Sequence, residues 1–303
     1  VKVESTNGKK IAAAATNHNT QYAQAYGGVD SGAARVFVPS VERRCVDCTW
    51  NPGAGQFGDW VGFSVVTVQC LSNTPCNTRI RFTGQTSTMT NLTLPDKVIQ
   101  PGAAIAASTR AGNDYDQNLF TQLRDNGNPS FPFAWAGSAI VETTNSTQVA
   151  VIAWSVRPRE NISPAISGAS AANAGTQSYL PLVYKVGTCN PPNGLEWRRF
   201  TIFRIQNPTT NNANDVDIYY YNRNGTLAHQ ELNRSIAAGT SLTRHTRADC
   251  SDLAPLGNNW EGSVYITSNQ PLVAVSEAYT NAFMNPAYGA SWSTGYNGYS
   301  VTP

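Results

Sequence analysis

Charge is scarce in this chain: Asp, Glu, Lys and Arg together make up 13% of its 303 residues, about half the share usual in globular proteins. The net charge is +2 and the basic residues are dispersed, which leaves no electrostatic footprint for nucleic acid or an anionic membrane. No apolar run approaches the roughly 20 residues that cross a bilayer. Histidine is scarce too. His18, His229 and His245 stand in no Ser/His/Asp or metal-ligand spacing, and no Gly-rich phosphate loop follows a strand and opens a helix. Asp114 with Asp116, and Asp215 with Asp217, are close in sequence, but alternating carboxylates read as solvated faces and the calcium-loop pattern is incomplete. The expectation is a protein that is not an enzyme and carries no cofactor.

Also missing is a 3.6-residue apolar stripe of helical length; the nearest approach is a short turn around Leu119 to Leu123. In its place are β-branched and aromatic runs at residues 61–68 and 200–205, and Val216, Ile218 and Tyr220 alternating with polar neighbours. Turn signals at Gln100-Pro101-Gly102, residues 208–214 and residues 222–225 punctuate them. With 41% hydrophobic residues the chain can bury a core in each of about two domains. Short strands with Gly, Pro and Asn turns predict sandwiches of antiparallel sheets.

Self-similarity sets the domain plan. Residues 36–41 and 179–183 open two repeat bodies, and Trp60 to Gln69 matches Trp197 to Gln206 at an offset that still holds at Gly102 and Gly239. The bodies close with Trp135-Ala136-Gly137-Ser138 and Trp260-Glu261-Gly262-Ser263. Each leads into two apolar-alternating runs around a polar turn, which predict a β-hairpin. That closing segment occurs three times. Val1 to Ala14 fall on Ala139 to Ile152, with Val3, Glu4, Thr6, Asn7 and Ala12 matched, and a third copy spans 264–276; Asn7-Gly8 is a tight-turn dipeptide. The expected organisation is an N-terminal β-hairpin and connector at 1–35, one sandwich at 36–160, a linker at 161–178, a second sandwich at 179–280 and an aromatic, Gly-rich tail at 281–303. In that tail Phe283, Tyr288, Trp292, Tyr296 and Tyr299 either pack over the edge of their own domain or meet a neighbour or a glycan.

Six cysteines in an apparently exported chain suggest disulfides. Cys189 and Cys250 stand alone in the second body and are expected to pair. In the first body the local bridges Cys45 to Cys48 and Cys70 to Cys76 are favoured, because a ten-residue strand of about 33 Å separates the pairs. A zinc site at Cys45-Val46-Asp47-Cys48 is the alternative. The chain starts at Val1 without methionine, which is compatible with a removed signal peptide. Sequons at Asn91, Asn145, Asn161, Asn224 and Asn233 permit glycosylation in a suitable host.

Tyr179 to Val183, Trp197, Ile205 to Asn207, Tyr220 to Gly225, Ala238-Gly239, Gly262-Ser263, Pro271 to Val275 and Tyr296 to Gly298 together resemble tandem repeats in secreted surface proteins of filamentous bacteria. The first body matches more loosely. The resemblance implies an extracellular, non-enzymatic β-sandwich and supplies no ligand. With two bodies and three closing hairpins, the spare at the N terminus is expected to add to the sheet of a neighbouring subunit, the alternatives being a sheet edge of its own chain or a remnant of a longer chain, since a lone hairpin is marginal in water and its edges invite pairing. Val1, Val3, Ile11 and Ala13 would be the anchors. Repeated head to tail, this gives a homopolymeric extracellular filament, similar in outline to donor-strand pili, at the cell surface. A monomeric or cell-anchored adhesin binding surface glycans through Tyr and Trp is the alternative.

Overall fold

The computed structural model describes residues 6, 14–18, 23–27, 29, 31–45, 48, 60–128, 133–158, 162–188, 197–280 and 292–301. The chain is all-β and folds as two antiparallel sandwiches, after a short pair formed by β1 (Ala14–His18) and β2 (Ala23–Gly27).

In the first sandwich, β3 (Arg35–Cys45) runs into β4 (Trp60–Cys70) and β5 (Cys76–Gly84), with the short β6 (Leu92–Thr93), β7 (Lys97–Ile99), β8 (Ala104–Ser108) and β9 (Gly112–Asn113). It is completed by β10 (Ala134–Thr143), β11 (Val149–Val156), β12 (Ala165–Ser167) and β13 (Ala169–Ser170). One sheet runs β13-β3-β10-β5 and the other β12-β11-β4-β8. The β3–β4 pairing at Arg43 and Phe63 joins them at one end. The short turn expected near Leu119 is a 3-10 helix at Gln117–Gln122; it buries Phe120 and is capped by the Asp116 carboxylate accepting from Asn118 N–H.

The second sandwich repeats this plan with β14 (Gly175–Val186), β15 (Arg199–Gln206), β16 (Ala213–Asn222), β17 (Leu227–Ile236), β18 (Ser241–His245), β19 (Asn259–Thr280), β20 (Trp292–Asn297) and β21 (Tyr299–Val301). The strand β19 serves both sheets: it pairs with β16 up to Ser268 and with β14 up to Leu272, and with β15 from Val273 and β20 from Val275. The repeat holds down to single hydrogen bonds. Thr109 Oγ1 accepts from Ser64 N and donates to Glu42 O, and Thr246 Oγ1 accepts from Thr201 N and donates to Tyr184 O. Glu42 N donates to Ser64 Oγ as Tyr184 N donates to Thr201 Oγ1. The paired closers need glycine because a Cβ on Gly137 would lie 2.1 Å from Thr83 O and one on Gly262 2.0 Å from Tyr221 O.

Two expectations are corrected. The closing segments at 139–152 and 264–276 are not hairpins: β10 pairs with β3 and β5, whereas β11 pairs with β4 and β12, so the chain arches from one sheet to the other. Alternation shows that each run has a buried face; it does not say which strand lies beside it. The linker at 161–178 is not a spacer either, and the tail at 281–303 pairs with its own sandwich over residues 292–301. In each, a strand pairs with the second half of the arch, the chain changes sheet at a glycine, and a last short strand pairs with the strand that opened the sandwich. Gly168 N donates to Val151 O and Gly298 N to Ala274 O, both at 2.8 Å. The sandwiches therefore extend through Ser170 and Val301.

Each sandwich has its own core. Trp135, Phe82 and Phe120 meet edge to face in the first, while Trp260, Tyr220 and Phe203 pack in the second. Trp135 Nε1 donates to Thr90 O and Trp260 Nε1 to Asn222 Oδ1, so both indoles are satisfied.

Candidate assembly surface

Three places concentrate features that ordinary core packing does not account for. The first is the N-terminal pair. Among the described residues, β1 and β2 hydrogen-bond only to each other, with Ala14 opposite Gly27. The same register recurs as Ile152 opposite Ser167 and Val275 opposite Asn297. The pair β1–β2 is thus a third copy of the finishing strands that β11–β12 and β19–β20 supply to the two sandwiches. Moreover β2, β12 and β20 lie beside one another, each touching the other two. A cavity of about 150 Å³ opens there, lined by Val29, Ser31, Ala150, Ser170, Val273 and Asn297 among others. The expected anchors Val1, Val3, Ile11 and Ala13 lie outside the described residues.

The second place is the junction between the sandwiches, where charge is buried. Arg157 Nε and Nη2 donate to the two oxygens of Glu42 at 3.1 and 3.2 Å. Arg204 Nη1 donates to Glu277 Oε2 and to Ser40 Oγ, Ser40 donates to Glu277 Oε1, and Tyr279 OH donates to Glu277 Oε2. The Arg157 guanidinium lies over the Tyr279 ring. All of these side chains are buried. Burial alone would raise the Glu42 carboxyl, but Arg157, Arg44 and Arg204 outweigh it and hold the pKa below the usual value. His245 is driven well below its ordinary value by burial, with Arg157, Arg247 and Arg204 adding to the effect. Its Nδ1 accepts from Arg247 and Ala248 N–H and its ring stacks on Phe200, so it is a neutral structural imidazole. Because the Ser40 hydrogen bonds to Arg204 and Glu277 and the Arg157 contact with Tyr279 cross from one sandwich to the other, this cluster reads as a lock between domains.

Of the carboxylates singled out in the sequence, Asp114, Asp116 and Asp217 hold backbone. Asp114 accepts from Ala106 N–H and Asp217 from Asn233 N–H and the Tyr219 hydroxyl. Disulfides join Cys45 to Cys48 and Cys70 to Cys76, so these sulfurs are spent and the zinc alternative at Cys45 and Cys48 falls. Cys250 is disulfide-bonded; Cys189, its expected partner, lies outside the described residues. Among those residues no helix is long and apolar enough to cross a membrane.

The third place is the outer face of the second sandwich. Tyr299, Tyr179, Tyr265 and Tyr219 stand opposite one another across β21, β14, β19 and β16. Tyr265 is sandwiched, with ring centroids 4.8 Å from Tyr179 and 5.9 Å from Tyr219 and the planes within 26° of parallel. At its centre the row therefore presents ring edges and hydroxyls, not open ring faces. Of the tail aromatics, Tyr296 is packed against the core and exchanges hydrogen bonds with the backbone of Leu182, while Tyr299 is 70% exposed. Trp292 pairs through its backbone with Thr280; Phe283 and Tyr288 lie outside the described residues. Of this row only Tyr299 stands among the sequence-predicted contact residues, because only strand register aligns Tyr179, Tyr219 and Tyr265 with it.

No protein-family model and no curated protein matches the chain. Among solved structures it is similar to Thermotoga maritima 1070 at 15% identity and a TM-score of 0.33, covering 43% of this chain and 97% of that one. The Anabaena sensory rhodopsin transducer is similar at 21% identity and a TM-score of 0.26, over 34% of this chain and 87% of that one. A candidate secreted protein of Parabacteroides distasonis is similar at 7% identity and a TM-score of 0.23, over 87% of this chain and 88% of that one.

Proposed function

We propose that the chain is an extracellular structural protein joined to a neighbouring stretch of polypeptide by β-strand complementation, with residues 1–31 supplying the finishing strands of a further sandwich. The observation that carries this is the third finishing pair: β1–β2 has the register of β11–β12 and β19–β20, yet both sandwiches already own theirs. Disulfides in the first sandwich fit an oxidising compartment. Main-chain pairing supplies affinity in such a joint and the alternating side chains supply register.

The two arches refine the expected head-to-tail filament. In both sandwiches the equivalents of residues 1–6 and 9–15 enter opposite sheets, so the N-terminal segment finishes a sandwich instead of widening one sheet. An intact second copy has no such vacancy. The neighbour is therefore a sandwich of the same repeat that lacks its last strands. A probe for it is the fragment 175–263, the second sandwich cut at the point where the copied finishing segment begins. The full chain, refolded with the tagged fragment, should capture it one to one by light scattering, and a chain lacking residues 1–31 should not. Equal capture by both, or by neither, would overturn the reading.

A further inference from the structure

The row at the outer face of the second sandwich has a counterpart in the first. Tyr299, Tyr179 and Tyr265 occupy the positions of Ala169, Phe37 and Ile140, since Ala169 pairs with Phe37 and Phe37 with Ile140 just as Tyr299 pairs with Tyr179 and Tyr179 with Tyr265. In the first sandwich this face is closed. Phe37, Ile140 and Ala169 form a buried cluster with Ala174 and with Val273 of the second sandwich, and Ser40 beside them is held by Arg204 and Glu277. Phe37 is 1% exposed and Ser40 is equally buried. In the second sandwich the same face is open. Tyr179 is 41% exposed, Leu182, which stands where Ser40 does, 37%, and Val301 48%. Four of the large apolar side chains left exposed among the described residues, Tyr299 included, thus fall on the copy of an interface that the molecule already uses once.

The strands around β2 show how that copy is filled. The contact of β12 with β20 accompanies the docking of the first sandwich on the second, and β2 touches both β20 and β12. Three equivalent strands in mutual contact mark a three-fold arrangement of repeats, of which the first and second sandwiches fill two positions and β1–β2 marks the third.

We infer that the Tyr299, Tyr179 and Leu182 face of the second sandwich is the seat of a third sandwich of the same repeat, the one that residues 1–31 finish, so that three sandwiches close a ring. This rests on the complementation reading and names the surface and partner for it. The occupant is a protein surface and not a sugar: the covered face it copies is closed by an aliphatic side chain, an arginine and a glutamate, and the ring faces of Tyr265 are taken by its neighbours. Continuity with an interface already buried in the same molecule, together with an exposed apolar patch confined to its copy, is the pattern expected of a protein docking surface.

The test uses the full chain with fragment 175–263 as the probe. In the ring, Arg204 of the fragment takes the place beside Leu182 of the chain that Arg204 holds beside Ser40 within the chain. Leu182→Cys in the chain and Arg204→Cys in the fragment should give a one-to-one covalent adduct under mild oxidation, and each substitution alone should not. Tyr179→Glu in the chain should weaken capture at least tenfold while its thermal unfolding stays unchanged. Capture that depends on residues 1–31 but yields no adduct and ignores Tyr179→Glu would overturn the seat and leave complementation standing. No capture by the full chain would overturn both.

Discussion

Replacing Arg157 by methionine tests whether the junction is a lock. The substitution keeps most of the side-chain volume and removes the two hydrogen bonds to Glu42, whose side chain is 2% exposed. A buried carboxylate stripped of its partner costs about 3–5 kcal/mol, which for a domain of this size lowers the melting temperature by on the order of 10 °C. The pair itself is worth far less, because replacing both members by apolar groups recovers the desolvation cost. Arg157→Met combined with Glu42→Leu should therefore regain most of what the single change loses. Acid unfolding adds an independent reading. Glu42 is depressed in the folded chain, so its contribution is present above the unfolded carboxylate value and lost as pH falls through the lower folded one. Without Arg157, burial is left to push the carboxyl upward, and the acid midpoint of the variant should move to higher pH. Urea titrations at neutral pH and pH scans of tryptophan fluorescence measure both. A single variant within about 1 kcal/mol of the parent, or a double variant no more stable than the single, would refute the argument.

Other outcomes follow from local geometry. Gly262→Ala places a Cβ 2.0 Å from Tyr221 O and should cost about 2–3 kcal/mol by overpacking, read from the urea midpoint; Gly137→Ala should behave alike, since the same contact recurs at Thr83 O. Serine at both Cys70 and Cys76 opens a bridge of sequence separation 6, and the chain-entropy cost is only about 2 kcal/mol, so the variant should remain folded with a lowered melting temperature.

Much of this architecture could be read in the residues. The turn signals, the alternation of Val216, Ile218 and Tyr220, and the match of Trp60 to Gln69 with Trp197 to Gln206 gave two like β-sandwiches. What escaped was pairing. An arch and a hairpin have the same alternation, so the run after Trp135 predicts a hairpin although its halves enter different sheets. The strand at Ala165–Ser167 is too short and small-residued to carry a signal, and only the backbone shows it finishing the first sandwich. The candidate site was half legible. The surplus copy at the N terminus was visible as a repeat, whereas the Tyr179, Tyr219, Tyr265 and Tyr299 row is spread over 121 residues of sequence and exists only through register across four strands. Nothing in the spacing of Glu42, Arg157, Arg204 and Glu277 announced the buried junction, because charged residues in strands ordinarily face water.

The opening strand of each sandwich hydrogen-bonds to the last strand made, β3 to β13 and β14 to β21. A ribosome adding 5–20 residues per second needs roughly 6–26 s for the stretch of about 120–130 residues between them. Throughout that interval the first strand waits with a bare flank, while the Cys70–Cys76 loop, closed within a handful of residues, can already be set. Biogenesis of the chain is then a sequence of delayed closures, and an escort that shields β3 and β14 while they wait would raise the yield of folded protein more than one acting on any later strand.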